Sequence, residues 1–358
     1  MSNKRINVTK TFLPPKAEYD SYISKIWENV HLTNQGPLLL DFESKLKSYL
    51  GVSDMHFVSN GTIALQLALN ALDVHGGEVI TTPFSYVAST SAILWERCKP
   101  VFVDINPDDL CIDASKIEAA ITPETKAILP VHVFGNPCDI EAIELIAKKH
   151  NLKVIYDGAH AFGTKYKGKS LLDYGDISTC SFHATKLFHT IEGGCVIAQD
   201  KNVSEKLELS KRFGHNFDEH TMLGINAKAS EMHAAMGLCN LKYVDEIIAK
   251  RRTASEHYDS LLAGKFERPK LRDGTEYNYA YYPLLLKDEQ HLNDLMKNLS
   301  DRNIFPRRYF YPSLNKLPYI ESQQTCPISE DIASRIVCLP LYPDIEPEVI
   351  GEICQAIL

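Results

Sequence analysis

Between residues 54 and 200, short β-branched apolar runs alternate with stretches whose apolar residues recur every three or four positions. That alternation predicts a largely parallel sheet covered by helices. The runs predict strands at 78–83, 100–105, 127–134, 153–157, 177–182 and 194–198. Asp139 is placed to cap a helix with Ile140, Ile143, Ile146 and Ala147 on one face. Lys148, Lys149 and His150 close it, where cations meet the negative end of the helix dipole. Residues 62–72 are apolar nearly all round, which predicts a buried helix. After about residue 240 the pattern changes to one long helix over 244–262, a Tyr/Pro-rich stretch from Tyr277 to Pro283, and short strands. The expected organisation is a large domain over 1–240, including the N-terminal segment, and a small α+β domain over 241–358.

With 358 residues and 44% hydrophobic content the chain can bury a large core. A formal net charge of −8, with no Lys/Arg cluster interleaved with aromatics, argues against nucleic-acid binding. The nine cysteines are odd in number and form no CxxC pair; several, such as Cys180, Cys195 and Cys338, lie in apolar runs. They suit reduced, packed thiols in a cytoplasmic protein and imply no zinc site. No apolar run approaches the length of a membrane span, and Met1-Ser-Asn-Lys-Arg leads into no leader-like apolar stretch.

The chemistry centres on Lys186, in Ser181-Phe-His-Ala-Thr-Lys186-Leu-Phe-His-Thr-Ile-Glu-Gly-Gly194. A lysine that follows an apolar strand and small hydroxyl residues, and precedes paired glycines, suits an amine held out of water. Only a partly desolvated lysine spends enough time unprotonated to bond an aldehyde cofactor. Ser59-Asn60-Gly61-Thr62 opens the buried helix, and its free amides offer either a phosphate site or an ordinary N-cap. Asp157 emerges at a strand C-terminus, where open α/β sheets bind ligands; it either pairs with a pyridinium nitrogen or caps a loop. His160 either bonds a ring hydroxyl or packs. Phe84 either stacks on a ring or belongs to the core. The run from Leu223 to Gly237 begins as a polar loop and becomes a small-residue helix of the kind that allows close approach, as at a subunit interface.

With these pieces in this order, the chain resembles the DegT/StrS family of nucleotide-sugar aminotransferases. Leu32-Thr-Asn-Gln-Gly-Pro37, Phe42-Glu43 and Arg307-Arg308-Tyr309-Phe310-Tyr311-Pro312 extend the likeness over nearly the whole length. The resemblance implies a pyridoxal phosphate enzyme of the aspartate aminotransferase-like α/β fold, type I. It implies Lys186 as the Schiff-base and proton-transfer lysine, Asp157 on the ring nitrogen, and His160 near the ring hydroxyl. It also implies Gly61, Thr62 and Ser181 on the phosphate, Phe84 stacked on the ring, and Asn226 reaching the phosphate from a partner subunit, so that a homodimer shares its sites. Three positions depart from the common pattern: Lys228-Ala229 stands where many members have Arg-Met, and His160 where many have Gln. Lys186 argues against the branch that carries histidine there and removes a hydroxyl.

The wording around Lys186 and Asn226, with the late Arg-Arg-Tyr-Phe, looks most like the branch acting at C4 of dTDP-4-keto-6-deoxy-D-glucose. Glutamate is the expected amine donor and dTDP-4-amino-4,6-dideoxy-D-glucose the product, a precursor of surface polysaccharides such as an O-antigen. His183 and Tyr309 are expected sugar-side contacts, and Arg307 or Arg308 is expected to face a diphosphate. Rival readings are a UDP-4-keto or 3-keto sugar aminotransferase, an aminotransferase of cyclitol ketones, and a sugar-nucleotide sensor without turnover.

Overall fold

A computed structural model describes residues 5–321 and 324–358. Its centre is a seven-stranded sheet of β1 (Asp54–Val58), β2 (Glu78–Thr81), β3 (Lys99–Phe102), β4 (Thr125–Leu129), β5 (Lys153–Asp157), β6 (Ile177–Ser181) and β7 (Gly194–Ala198). The strand order is β1-β7-β6-β5-β4-β2-β3, and only β7 runs against the others. β5 through β7 are buried along nearly their whole length, as expected where helices cover both faces.

The expected strands over 153–157 and 194–198 coincide with β5 and β7, and the strand β1 lies outside those expected. The expected strand over 127–134 stops at Leu129. Pro130 has no amide to continue a ladder, and Val133–Gly135 forms a tight turn with Phe134 at φ 56°. The buried helix is α2 (Gly61–Ala71), which follows α1 (Pro37–Leu50) and precedes α3 (Ala88–Trp95). Asp139 caps α4 (Ile140–His150) by accepting the Ala142 amide.

The small-residue helix, α5 (Glu231–Leu241), makes a close approach within the chain. A Cβ on Gly237 would come within 2.5 Å of the Phe42 ring, so only glycine lets that buried ring lie against α5. Glu231 fastens the same junction by accepting the amides of Leu38 and Leu39 at the start of α1.

The long helix α6 (Val244–Leu262) spans two cores. Val244 and Ile247 pack in the core of the sheet, whereas Ala254, Tyr258 and Leu262 pack in a second core. That second core also holds the antiparallel pair β8 (Tyr282–Leu285) and β9 (Ile336–Leu339), with α7 (Glu289–Asp301) and α8 (Pro347–Ile357). Ile6 belongs to it too, because residues Ile6–Asn7 pair in parallel with Ile304–Phe305. Among the described residues no helix is long and apolar enough to cross a membrane.

Candidate active site

The C-terminal ends of β1, β2, β5 and β6 open onto one side of the sheet, the side on which α/β sheets hold their ligands. A cavity of about 680 Å³ lies there. The loop after β1 contributes Ser59, Asn60, Gly61 and Thr62, the loop after β2 contributes Ser85 and Tyr86, and β5 ends in Asp157. β6 ends in Ser181, after which come His183, Thr185, Lys186 and Glu192. Tyr281, Arg307, Tyr309 and Phe310 close the cavity from the second core's side.

Lys186 lines this cavity with its side chain partly enclosed. The protein around it pushes the ammonium's pKa below its ordinary value, because a charge is poorly solvated there; Asp157, Cys180, Tyr309 and Tyr86 pull in the opposite direction. Asp157 is buried. Burial raises its carboxyl above the ordinary range, while donors from Ser89 Oγ at 2.7 Å and the Ala159 amide at 3.0 Å, with the charge of Lys186, restrain the rise. Burial, and then Lys186, hold the His160 imidazole well below its usual pKa, so it is neutral near pH 7. Its Nδ1 has no partner among the described residues.

At α2, helix geometry leaves the first-turn amides without acceptors in the helix. Asn60 Oδ1 takes the Ile63 amide and Asn60 O takes that of Ala64, which leaves the amides of Gly61 and Thr62 for a ligand. A Cβ on Gly61 would lie 2.8 Å from Cβ of Ser181, so the backbone of the first helical residue is pressed against the end of β6. A cavity with an anion-binding helix start, an acid at a strand end, a buried histidine with a free nitrogen and a desolvated lysine fits pyridoxal phosphate.

Residues 15–358 match the model of the DegT/DnrJ/EryC1/StrS aminotransferase family. The chain belongs to that family. It is 42% identical, over 99% of its own length and 98% of the relative's, to a Shigella dysenteriae protein named dTDP-4-amino-4,6-dideoxy-D-glucose transaminase. An Escherichia coli protein of the same name is 41% identical over 100% of this chain and 99% of the relative. Among solved structures, DesI in the presence of its TDP-sugar product superposes with a TM-score of 0.93 at 28% identity, covering 99% of this chain and 92% of that one.

Within this family site, the cavity wall includes Lys186, Asp157, His160, Gly61, Thr62, Ser181, His183, Arg307 and Tyr309. Two expected residues lie elsewhere, and a third, Asn226, is expected at a partner's cavity rather than this one. Phe84 is fully buried and packs edge-on against Phe134 and Phe310, so it belongs to the core and cannot stack on a ligand in the cavity. Arg308 turns away: its guanidinium sits 3.5 Å above the Tyr311 ring and donates to Glu289 at 2.8 Å and to the Ser334 carbonyl at 2.9 Å. Asn226 is exposed outside this chain's cavity and accepts from Lys228 Nζ at 2.9 Å.

Sequence reasoning missed Tyr86, Ser89, Tyr281 and Glu192. Tyr86, two residues after Phe84, is the aromatic of this loop that lines the cavity, with 58% of its surface exposed. His183 Nδ1 pairs with Thr185 Oγ1 at 2.8 Å, and its Nε2 lies 3.6 Å from Glu192, so the residues before and after Lys186 form one polar rim.

Proposed function

We propose that this chain transfers an amine from glutamate to C4 of dTDP-4-keto-6-deoxy-D-glucose, giving dTDP-4-amino-4,6-dideoxy-D-glucose, with pyridoxal phosphate as cofactor. The observation that carries the reading is Lys186, desolvated in one cavity with Asp157 and the α2 phosphate cradle, in a chain similar end to end to two transaminases of that name. When bound, the cofactor supplies an electron sink for the pair left at the carbon that carries nitrogen.

The side chains divide the remaining work. Lys186 Nζ, unprotonated for part of the time because burial disfavours its charge, would hold the aldehyde end of the cofactor and is the base placed to move a proton at the substrate carbon. Asp157 would pair with the ring nitrogen and keep a proton there. Neutral His160 would offer Nδ1 to the ring hydroxyl. The amides of Gly61 and Thr62, with Ser181, would hold the phosphate, and Tyr86 would cover the ring face. Arg307, an exposed cation on the cavity wall, suits the diphosphate of the nucleotide-sugar, and His183 and Tyr309 suit its sugar hydroxyls.

The active form in this reading is a homodimer in the cytoplasm. Exposed Asn226 lies near the strongly exposed Phe217 and Leu223 in the chain, two large apolar side chains suited to burial against a second copy, where Asn226 would reach the partner's phosphate. Nine free, buried cysteines suit a reducing compartment. Incubating the purified protein with pyridoxal phosphate, glutamate and a panel of keto-sugar nucleotides tests the substrate. Turnover of the dTDP-4-keto sugar supports the assignment, and turnover confined to UDP-linked or 3-keto compounds overturns it.

A further inference from the structure

Two serines four residues apart, Ser85 and Ser89, flank the start of α3, and both are buried. Ser89 Oγ lies 2.7 Å from Oδ2 of Asp157 and 2.9 Å from Ser85 Oγ. A hydroxyl has one proton to give, and a carboxylate can only accept. Ser89 therefore donates to Asp157 and receives from Ser85. The Ala159 amide donates to the other carboxylate oxygen at 3.0 Å. Each oxygen of Asp157 thus has one donor from the chain and a lone pair to spare. Ser85 and Tyr86 line the cavity, whereas Ser89 does not, so Ser89 acts on a ligand only through the groups it bonds, Asp157 and Ser85.

We propose that Ser89 is a positioning residue whose hydroxyl, backed by Ser85, holds Asp157 as an anion aimed at the ring nitrogen of the cofactor. This deepens the function above and rests on the cavity being a pyridoxal phosphate site. Burial favours the neutral carboxyl, and the Ser89 hydrogen bond is the largest influence acting against it, ahead of the Ala159 amide and the charge of Lys186. Tyr86 stands between the serines, so one stretch of backbone fixes both the cavity wall and the carboxylate's donor.

The test compares wild type, Ser89→Ala and Ser89→Thr as full-length proteins loaded with pyridoxal phosphate. The readouts are a pH titration of the cofactor's visible absorption, cofactor affinity, and the split between kcat and KM. A less firmly anionic Asp157 leaves the ring less positive, so the nitrogen joined to Lys186 keeps its proton to higher pH. Ser89→Ala is expected to raise the titration midpoint by about one unit and to weaken cofactor affinity about tenfold, the scale of a hydrogen bond to a charged group. It is also expected to lower kcat about tenfold with KM for the nucleotide-sugar unchanged, while Ser89→Thr stays at the wild-type midpoint. A Ser89→Ala protein with wild-type midpoint and affinity overturns the proposal and leaves the proposed function standing. A wild type that takes up no pyridoxal phosphate removes the function, and this proposal with it. If Ser89→Ala does not fold, Ser89→Cys, close in size with a weaker donor, is titrated instead; a smaller upward shift is expected, and no shift overturns the proposal.

Discussion

The imidazole of His160 lies nearly parallel to the ring of Phe310, with centroids 5.4 Å apart and planes 15° from coplanar. Tyr281 meets it edge-on at 5.0 Å, so the imidazole is held by aromatic packing while its Nδ1 has no partner among the described residues. The packing and the nitrogen can be separated. His160→Phe keeps the stack and removes the nitrogen, so its melting temperature is expected to stay near that of wild type. Its cofactor dissociation constant is expected to rise about three- to tenfold, the scale of one neutral hydrogen bond. His160→Gln, which restores a polar group, is expected to recover most of the affinity. Titration of the apoprotein with pyridoxal phosphate reads both, and unchanged affinity in His160→Phe would show that Nδ1 makes no contact.

Phe84 and Tyr86 are two residues apart and do opposite work. Phe84→Ala empties a fully buried site, and unfolding by urea is expected to show a loss of about 3–5 kcal/mol. Tyr86→Ala removes a side chain that is 58% exposed on the cavity wall. Its stability is expected to change by less than about 0.5 kcal/mol, while cofactor affinity falls about three- to tenfold through lost stacking. The reverse pattern would return the stacking role to Phe84.

Behind the phosphate loop, Lys211 is buried between Glu208 at 2.8 Å and Glu43 at 3.4 Å. Burial pushes the Glu208 carboxyl up, but His56 and Lys211 outweigh it and bring it to about 2, from an ordinary value of 4.5. A depressed carboxyl contributes stability above its unfolded pKa and loses it as pH falls through the folded one. Relative to wild type, Glu208→Gln is therefore expected to lose about 2–3 kcal/mol at pH 7, with the gap closing between about pH 4.5 and pH 2. Denaturant midpoints of both proteins across that range check it. A gap that does not change with pH would mean that the ion pairs contribute nothing.

Where periodicity and chemistry agree, the sequence is readable. The strand ending in Asp157 is buried and β-branched, and the helix capped by Asp139 combines an apolar stripe with charged ends, so both stand where their patterns point. Lys186 is legible because hydroxyl residues before it and glycines after it have no use around a surface lysine. Phe84 is misread because an aromatic after a strand faces the core or a ligand with equal ease, and the path of the loop before α3 decides which. Arg308 differs from Arg307 in the same way: adjacent residues in an extended segment point to opposite sides. The contact of Ser89 with Asp157 joins residues 68 apart in sequence, and no local pattern carries it. The small residues of α5 give no sign of which neighbour they meet; the contact of Gly237 with Phe42 joins residues far apart in sequence.

Borohydride reduction of the protein with pyridoxal phosphate, followed by peptide mapping, tests most directly whether Lys186 is the amine that binds the cofactor. The expected result is a single reduced adduct on the peptide containing Lys186, absent from Lys186→Ala, which also loses amine transfer. An unmodified chain, or an adduct confined to another lysine, would contradict it.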